Sequence, residues 1–128
     1  MAITTERLMA EPPGILRAAG FLRAGGLVAF PTETVYGLGA DAQNDRAVAR
    51  IFEAKGRPAF NPLIVHVSGM AMADDYGLLP PKARAMLTPE WPEALSIVVP
   101  LRDGSGLSPL VTAGQSSVAL RCPTSNVA

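Results

Sequence analysis

Two cations flank a glycine in Lys55-Gly56-Arg57-Pro58-Ala59-Phe60-Asn61-Pro62. Pro58 and Pro62 stiffen the segment after the glycine, because proline fixes φ. No acidic residue lies between Glu53 and Asp74, so the local field is positive. Cations on a stiff segment lose less entropy on engaging a polyphosphate than cations on a floppy loop. This is the chemistry of an anion site. The same residues also suit a helix C-cap, with Lys55 at the negative end of the dipole and Gly56 left-handed. The two readings are compatible.

His66 is the only histidine and lies within the apolar run Leu63-Ile64-Val65-His66-Val67. Alternation puts Ile64 and His66 on one face of a strand and Leu63, Val65 and Val67 on the other. Such a histidine is either bonded within the core or projected into a ligand pocket beside the cationic loop. Ser117 and Arg121 bracket another apolar run at i and i+4, hence on one face. A strand arginine needs an anionic partner or a wet pocket, unless it sits at a sheet edge. Pro31-Thr32-Glu33-Thr34-Val35-Tyr36 comes after a short apolar run and gathers hydroxyls, one acid and one aromatic. Such groups at a strand end commonly line a crevice, although plain turn chemistry explains them too.

Other chemistries are excluded. One histidine and one cysteine make a poor metal set. Cys122 precedes a proline, has no histidine nearby and reads as a buried thiol. Gly37-Leu38-Gly39-Ala40-Asp41-Ala42 matches G-x-G-x-x-A in form only: it lies beyond the proline that closes the strand, and no helix opens directly after it. No Walker-type phosphate loop occurs.

The elements that position these residues are short. A helix is expected over Ile15–Arg23, with Ile15, Leu16, Ala19 and Leu22 inward and Gly25-Gly26 as the stop. Leu27–Phe30 reads as a buried strand, and Pro31–Asn44 as a loop without regular structure. A second helix spans 45–55, capped by Asn44 or Asp45, with Val48, Ile51 and Phe52 as its stripe. A third covers Lys82–Leu87, with Ala83, Met86 and Leu87 buried. Strands are expected at Leu63–Val67, Ser96–Val99 and Val118–Arg121. This is an α/β pattern: a mixed sheet with helices packed on it. Residues 1–13 are a loose lead-in to a domain over 14–128.

Composition agrees. The 128 residues are 48% hydrophobic and 17% charged, which rules out intrinsic disorder. The length fits one domain able to bury roughly two thirds of its extended surface. Eleven basic residues balance 11 acidic ones, against a bulk electrostatic nucleic-acid binder. Nine of the cations are arginine, which favours planar oxyanions, although GC-rich codon usage gives the same bias. Glycine and proline make 24 of 128 residues, pointing to many stiff turns rather than a helical bundle. No apolar run reaches the ~18 residues of a membrane span. The N-terminus does not resemble a secretory signal. The lone cysteine suits a reducing, cytoplasmic setting.

Together, Pro31-Thr32-Glu33-Thr34-Val35-Tyr36-Gly37-Leu38, Lys55-Gly56-Arg57-Pro58 and Asn61-Pro62-Leu63-Ile64-Val65-His66-Val67 closely resemble the YrdC-like threonylcarbamoyl-adenylate synthases, collinear from about Gly14 to Arg121. The resemblance implies a twisted mixed α/β sheet with an open, positive cavity. It implies formation of threonylcarbamoyl-AMP and pyrophosphate from L-threonine, bicarbonate and ATP, with Mg2+ on the phosphates. The product would pass to a downstream tRNA-modifying transferase. Thr34, His66 and Arg121 would contact threonine, with Thr32 and Tyr36 shaping that end. Lys55, Arg57, Asn61 and Ser117 would contact ATP. Lys55 and Arg57 would carry the catalytic charge neutralisation.

Three departures stand out. The family pattern continues past the Arg121 strand into a helix and a Ser-x-Asn segment. The chain is therefore expected to be incomplete there and less active and stable alone; Ser125-Asn126 is not that segment. Glu93 in Trp91-Pro92-Glu93-Ala94 replaces a glycine, so strain is expected if the turn is type II. Cys122-Pro123-Thr124-Ser125 also differs from the usual run. Two competing readings are a carbamoyl-transfer domain of the hydrogenase-maturation type, using carbamoyl phosphate, and an RNA-binding module without catalysis. The balanced charge weakens the second.

Overall fold

The computed structural model describes residues 4–128. Nine elements occur in order: α1 (Pro12–Arg23), β1 (Val28–Phe30), β2 (Gly37–Gly39), α2 (Asp45–Lys55), β3 (Ile64–His66), α3 (Met70–Tyr76), α4 (Pro81–Glu90), β4 (Ser96–Pro100) and β5 (Ser117–Arg121). β1 and β2 form an antiparallel hairpin. A separate three-stranded sheet has the order β3-β5-β4, with β3 parallel and β4 antiparallel to β5. The sheet is mixed, as expected.

Period-two alternation divides this sheet into two unlike faces. Val65, Val99, Val118 and Leu120 point to one side and are buried. They pack with Val48 and Phe52 of α2, Ala73 of α3, and Val67, Val111 and Cys122. The register sets Ile64 beside Ala119 and His66 beside Arg121 on the opposite side. Ile64 is 48% and Val98 67% exposed there, so this second face is open.

α2 keeps closely to its sequence pattern. Asn44 is the N-cap, its side chain accepting from the Ala47 N–H at 3.1 Å. Ala47, Val48, Ile51 and Phe52 are buried. The helix ends on Gly56 at φ 61°, and the Gly56 and Arg57 N–H groups donate back to Glu53 and Phe52. That is a Schellman cap, which needs the left-handed residue. Asn44→Ala is expected to cost about 1 kcal/mol and Asn44→Asp a few tenths, read as shifts in the urea midpoint.

Several boundaries differ from expectation. α1 starts at Pro12 rather than Ile15, because proline is tolerated in a first helical turn. Leu16 is 69% exposed, so the inward side is Ile15, Ala19 and Leu22 without it. The lead-in shows no helix or strand over residues 4–10, yet Glu6 pairs with Arg17 on α1; residues 1–3 lie outside the described residues. The loop after Phe30 contains β2, leaving residues 31–36 as a hairpin connection. β2 is Gly-Leu-Gly, a weak strand by composition, and Gly39 is required by packing: a Cβ there would lie 2.5 Å from the Phe30 ring. The short helix α3 has no counterpart in the sequence expectation. α4 runs three residues past Leu87, and Met86 is 56% exposed rather than buried. Glu93 carries no positive φ; among the described residues only Ala113 does so without being glycine. The strain expected at Glu93 is absent, and the Trp91–Pro92 peptide is cis.

Candidate functional site

The hairpin lies beside the open face of the sheet. The Phe30 ring meets the His66 ring edge-on, with centroids 6.1 Å apart at 69°. Residues 31–36 then run toward Arg121. Thr32 builds this turn: its hydroxyl donates to the Val35 carbonyl at 2.6 Å and accepts from the Thr34 N–H at 3.3 Å. The Thr34 hydroxyl lies 3.2 Å from that of Thr32 and 3.5 Å from Arg121 Nη2.

Arg121 is the centre of the site. Its Nη2 donates to Glu33 Oε1 in an ion pair whose side chains are only 16% and 14% exposed. The second Glu33 oxygen accepts from the Thr124 N–H at 3.3 Å. The Arg121 hydrogen bond, foremost, holds the Glu33 carboxyl below its ordinary range. Arg121 Nε is buried and has no partner among the described residues. A buried donor without an acceptor is uncommon and costly.

His66 sits beside Arg121 in register. Burial, and secondarily the Arg121 charge, push its pKa below the ordinary 6.5. The imidazole is therefore neutral at pH 7, with one donor and one acceptor. The unfolded chain binds a proton near pH 6.5 that the folded chain refuses. Stability is then fully present above pH 6.5 and declines as the pH falls toward the lower folded pKa. Urea midpoints between pH 7.5 and 5.5 are expected to drop, and His66→Gln to flatten that drop. The Glu33 contribution is lost at lower pH, as the medium passes through its depressed pKa.

Ser117 lies at the far end of β5, on the Arg121 face and opposite Pro100. Four residues of strand separate it from Arg121 by roughly 13 Å. The cationic loop keeps the expected C-cap, with Lys55 at the helix end and Gly56 left-handed, and its two cations are placed unlike each other. Lys55 ends α2, exposed to solvent and with no hydrogen bond or ion pair among the described residues. Arg57 folds onto its own loop, donating from Nε to the Asn61 carbonyl at 3.3 Å and from Nη2 to the Pro62 carbonyl at 2.7 Å. Asn61 is half-buried, with its N–H on the Pro58 carbonyl. Arg57 thus stiffens the segment as the prolines do. Tyr36 is 77% exposed.

Thr34, His66 and Arg121 are therefore brought together; Thr32 supports them from within the turn; Tyr36, at the end of the same loop, is exposed. Sequence reasoning left Glu33 and Phe30 without roles. Glu33 was findable, being the acid within the hydroxyl-rich turn when Arg121 needed an anion. Cys122 is buried, and burial pushes its thiol pKa up, as expected for a structural cysteine. A shallow concavity of about 270 Å³ between α3, α4 and the chain after β5 contains none of the predicted site residues.

A mixed sheet packed by helices on one face, with an arginine and a neutral imidazole on the other under a hydroxyl-bearing hairpin, defines an α/β domain with a polar, anion-compatible site. The Sua5/YciO/YrdC family model, described as "Telomere recombination", matches residues 20–128, and the chain belongs to that family. It is 49% identical over 120 residues to threonylcarbamoyl-AMP synthase of Bacillus subtilis, covering 93% of this chain and 34% of that protein. It is 47% identical over 112 residues to the enzyme of that name from Pyrococcus abyssi, covering 87% and 32%. The fold matches the crystal structure of P. abyssi Sua5 complexed with L-threonine at a TM-score of 0.86 and 44% identity, covering 95% of this chain and 35% of that one. The chain thus spans about a third of the length of its relatives in B. subtilis, P. abyssi and Schizosaccharomyces pombe.

Proposed function

We propose that this chain carries the threonine-binding and nucleotide-binding face of a threonylcarbamoyl-AMP synthase. The observation that carries this reading is the meeting of Thr34, His66 and Arg121, which come from a hairpin loop and two strands. The name of the B. subtilis and P. abyssi relatives, and threonine bound to the P. abyssi protein, support the substrate.

In this reading the threonine carboxylate takes the free donors of Arg121. The amine, once deprotonated, attacks the carbon derived from bicarbonate; a C–N bond forms and water leaves. A neutral His66 presents a ring nitrogen that can accept a hydrogen bond from that amine. The resulting carbamate oxygen attacks the α-phosphorus of ATP, and the bond to the β-phosphate oxygen breaks to release pyrophosphate. Such a transfer needs alignment and charge neutralisation rather than a covalent protein nucleophile. Lys55 and the unused donors of Arg57 face the phosphates, and Asn61 and Ser117 contact the nucleotide. Among the described residues no group of three or more His, Cys, Asp or Glu gathers to hold a metal. In this reading Mg2+ comes with ATP, bound to its phosphates, as part of the substrate.

The product is consumed by a transferase that modifies tRNA, which makes the cytoplasm the setting of the reaction. Among the described residues no helix is long and apolar enough to cross a membrane. The deciding experiment is pyrophosphate release with and without threonine and bicarbonate. Release that requires both supports the proposal. ATP turnover indifferent to threonine, or RNA affinity with a steep salt dependence and no effect of ATP, overturns it.

A further inference from the structure

Arg121 is a long, flexible side chain at a position where direction decides everything. An unrestrained guanidinium samples many rotamers, and ordering it on binding costs entropy. Two anchors hold it: the Glu33 carboxylate and, more weakly, the Thr34 hydroxyl at 3.5 Å. Both draw on Nη2 alone, while the buried Nε is left without a partner among the described residues. Glu33 is itself fixed at both oxygens, through Arg121 and the Thr124 N–H. It thereby ties the hairpin loop to the chain leaving β5, 88 and 91 residues away in sequence.

We infer that Glu33 is the positioning residue for threonine: it grips one end of the Arg121 guanidinium and turns the remaining donors toward the substrate carboxylate. This rests on the reading that Arg121 receives that carboxylate. A rival role leads to the opposite result. Were Glu33 only an occupant of the carboxylate site, it would compete with threonine, and its removal would tighten binding. The single-nitrogen contact favours positioning, since a competitor for a carboxylate site would take the two-pronged fork that arginine offers.

The test is steady-state pyrophosphate release by wild type, Glu33→Ala and Glu33→Gln, titrating threonine and ATP separately, with urea midpoints in parallel. Glu33→Ala is expected to raise the threonine KM on the order of 10-fold, while the ATP KM changes less than about twofold. Glu33→Gln keeps one acceptor oxygen, for either the guanidinium or the Thr124 N–H but not both, and is expected to fall between. A purely structural role would move both KM values together with the urea midpoint. Should Glu33→Ala not fold, Glu33→Gln decides by the same split. A threonine KM that is unchanged or lowered, or a joint shift of both KM values, overturns the inference while leaving the synthase reading intact. Wild-type turnover without threonine dependence overturns that reading, and this inference with it.

Discussion

Arg121→Ala is expected to abolish measurable threonine saturation while the protein still binds ATP. Arg121 is the cation on the open face of β5, in register with His66 and bonded toward the hydroxyl of Thr34. Each hydrogen bond to a charged group contributes about 1.5–3 kcal/mol. Two such bonds to the threonine carboxylate, about 3–6 kcal/mol together, predict a fall in kcat/KM of about 100- to 10,000-fold. Truncation also leaves the mostly shielded Glu33 without its cation, so the urea midpoint is expected to drop. Arg121→Lys separates the two effects. An ammonium restores the charge opposite Glu33 but not the planar fork. Its midpoint is expected to recover most of the loss, and its threonine KM little. A threonine KM that is near wild type in Arg121→Ala would remove the carboxylate from this end of the sheet.

The fold was legible where local chemistry and burial agree. α2 is the clearest case: an Asn44 cap, a stripe of Val48, Ile51 and Phe52, and a Gly56 stop all specify the same helix, and the structure keeps each. β3 and β5 were legible because alternation separates Val65, Val118 and Leu120 from His66 and Arg121. β2 was hidden because two glycines of its three residues carry no strand preference. Its reason is tertiary: Phe30 lies against Gly39 and leaves no room for a Cβ. Leu16 and Met86 misled for a different reason. Helical periodicity ranks residues by angle, and whether a neighbour covers that angle is set by the rest of the chain. At the site, residue identity was visible and connectivity was not. Arg121 and Glu33 stand 88 residues apart, and no spacing rule joins them. The cationic loop was visible as charge, but the inward turn of Arg57 onto two carbonyls depends on the path that Pro58 and Pro62 impose.

That inward turn makes Lys55 and Arg57 unequal, and the inequality is measurable. Lys55 is exposed and makes no bond among the described residues. Lys55→Ala removes only its charge and a helix-dipole contribution of about 0.3–1 kcal/mol. It is expected to raise the ATP KM on the order of 10-fold with little change in the urea midpoint. Raised salt should shrink that difference, because exposed charges are screened over about 8–10 Å at physiological ionic strength. Arg57→Ala removes two bonds that order the loop, as well as the positive charge proposed to meet the phosphates. Its ATP KM and its urea midpoint are expected to worsen together. Arg57→Lys is expected to recover the charge but not both carbonyl contacts, so its ATP KM should improve more than its stability. The double alanine variant is expected to lose about 100-fold in kcat/KM for ATP, with the threonine KM at saturating ATP changed far less. Steady-state pyrophosphate release across two salt concentrations measures all four variants. Equal ATP saturation by the double variant and the wild type would place the nucleotide somewhere other than beside this loop.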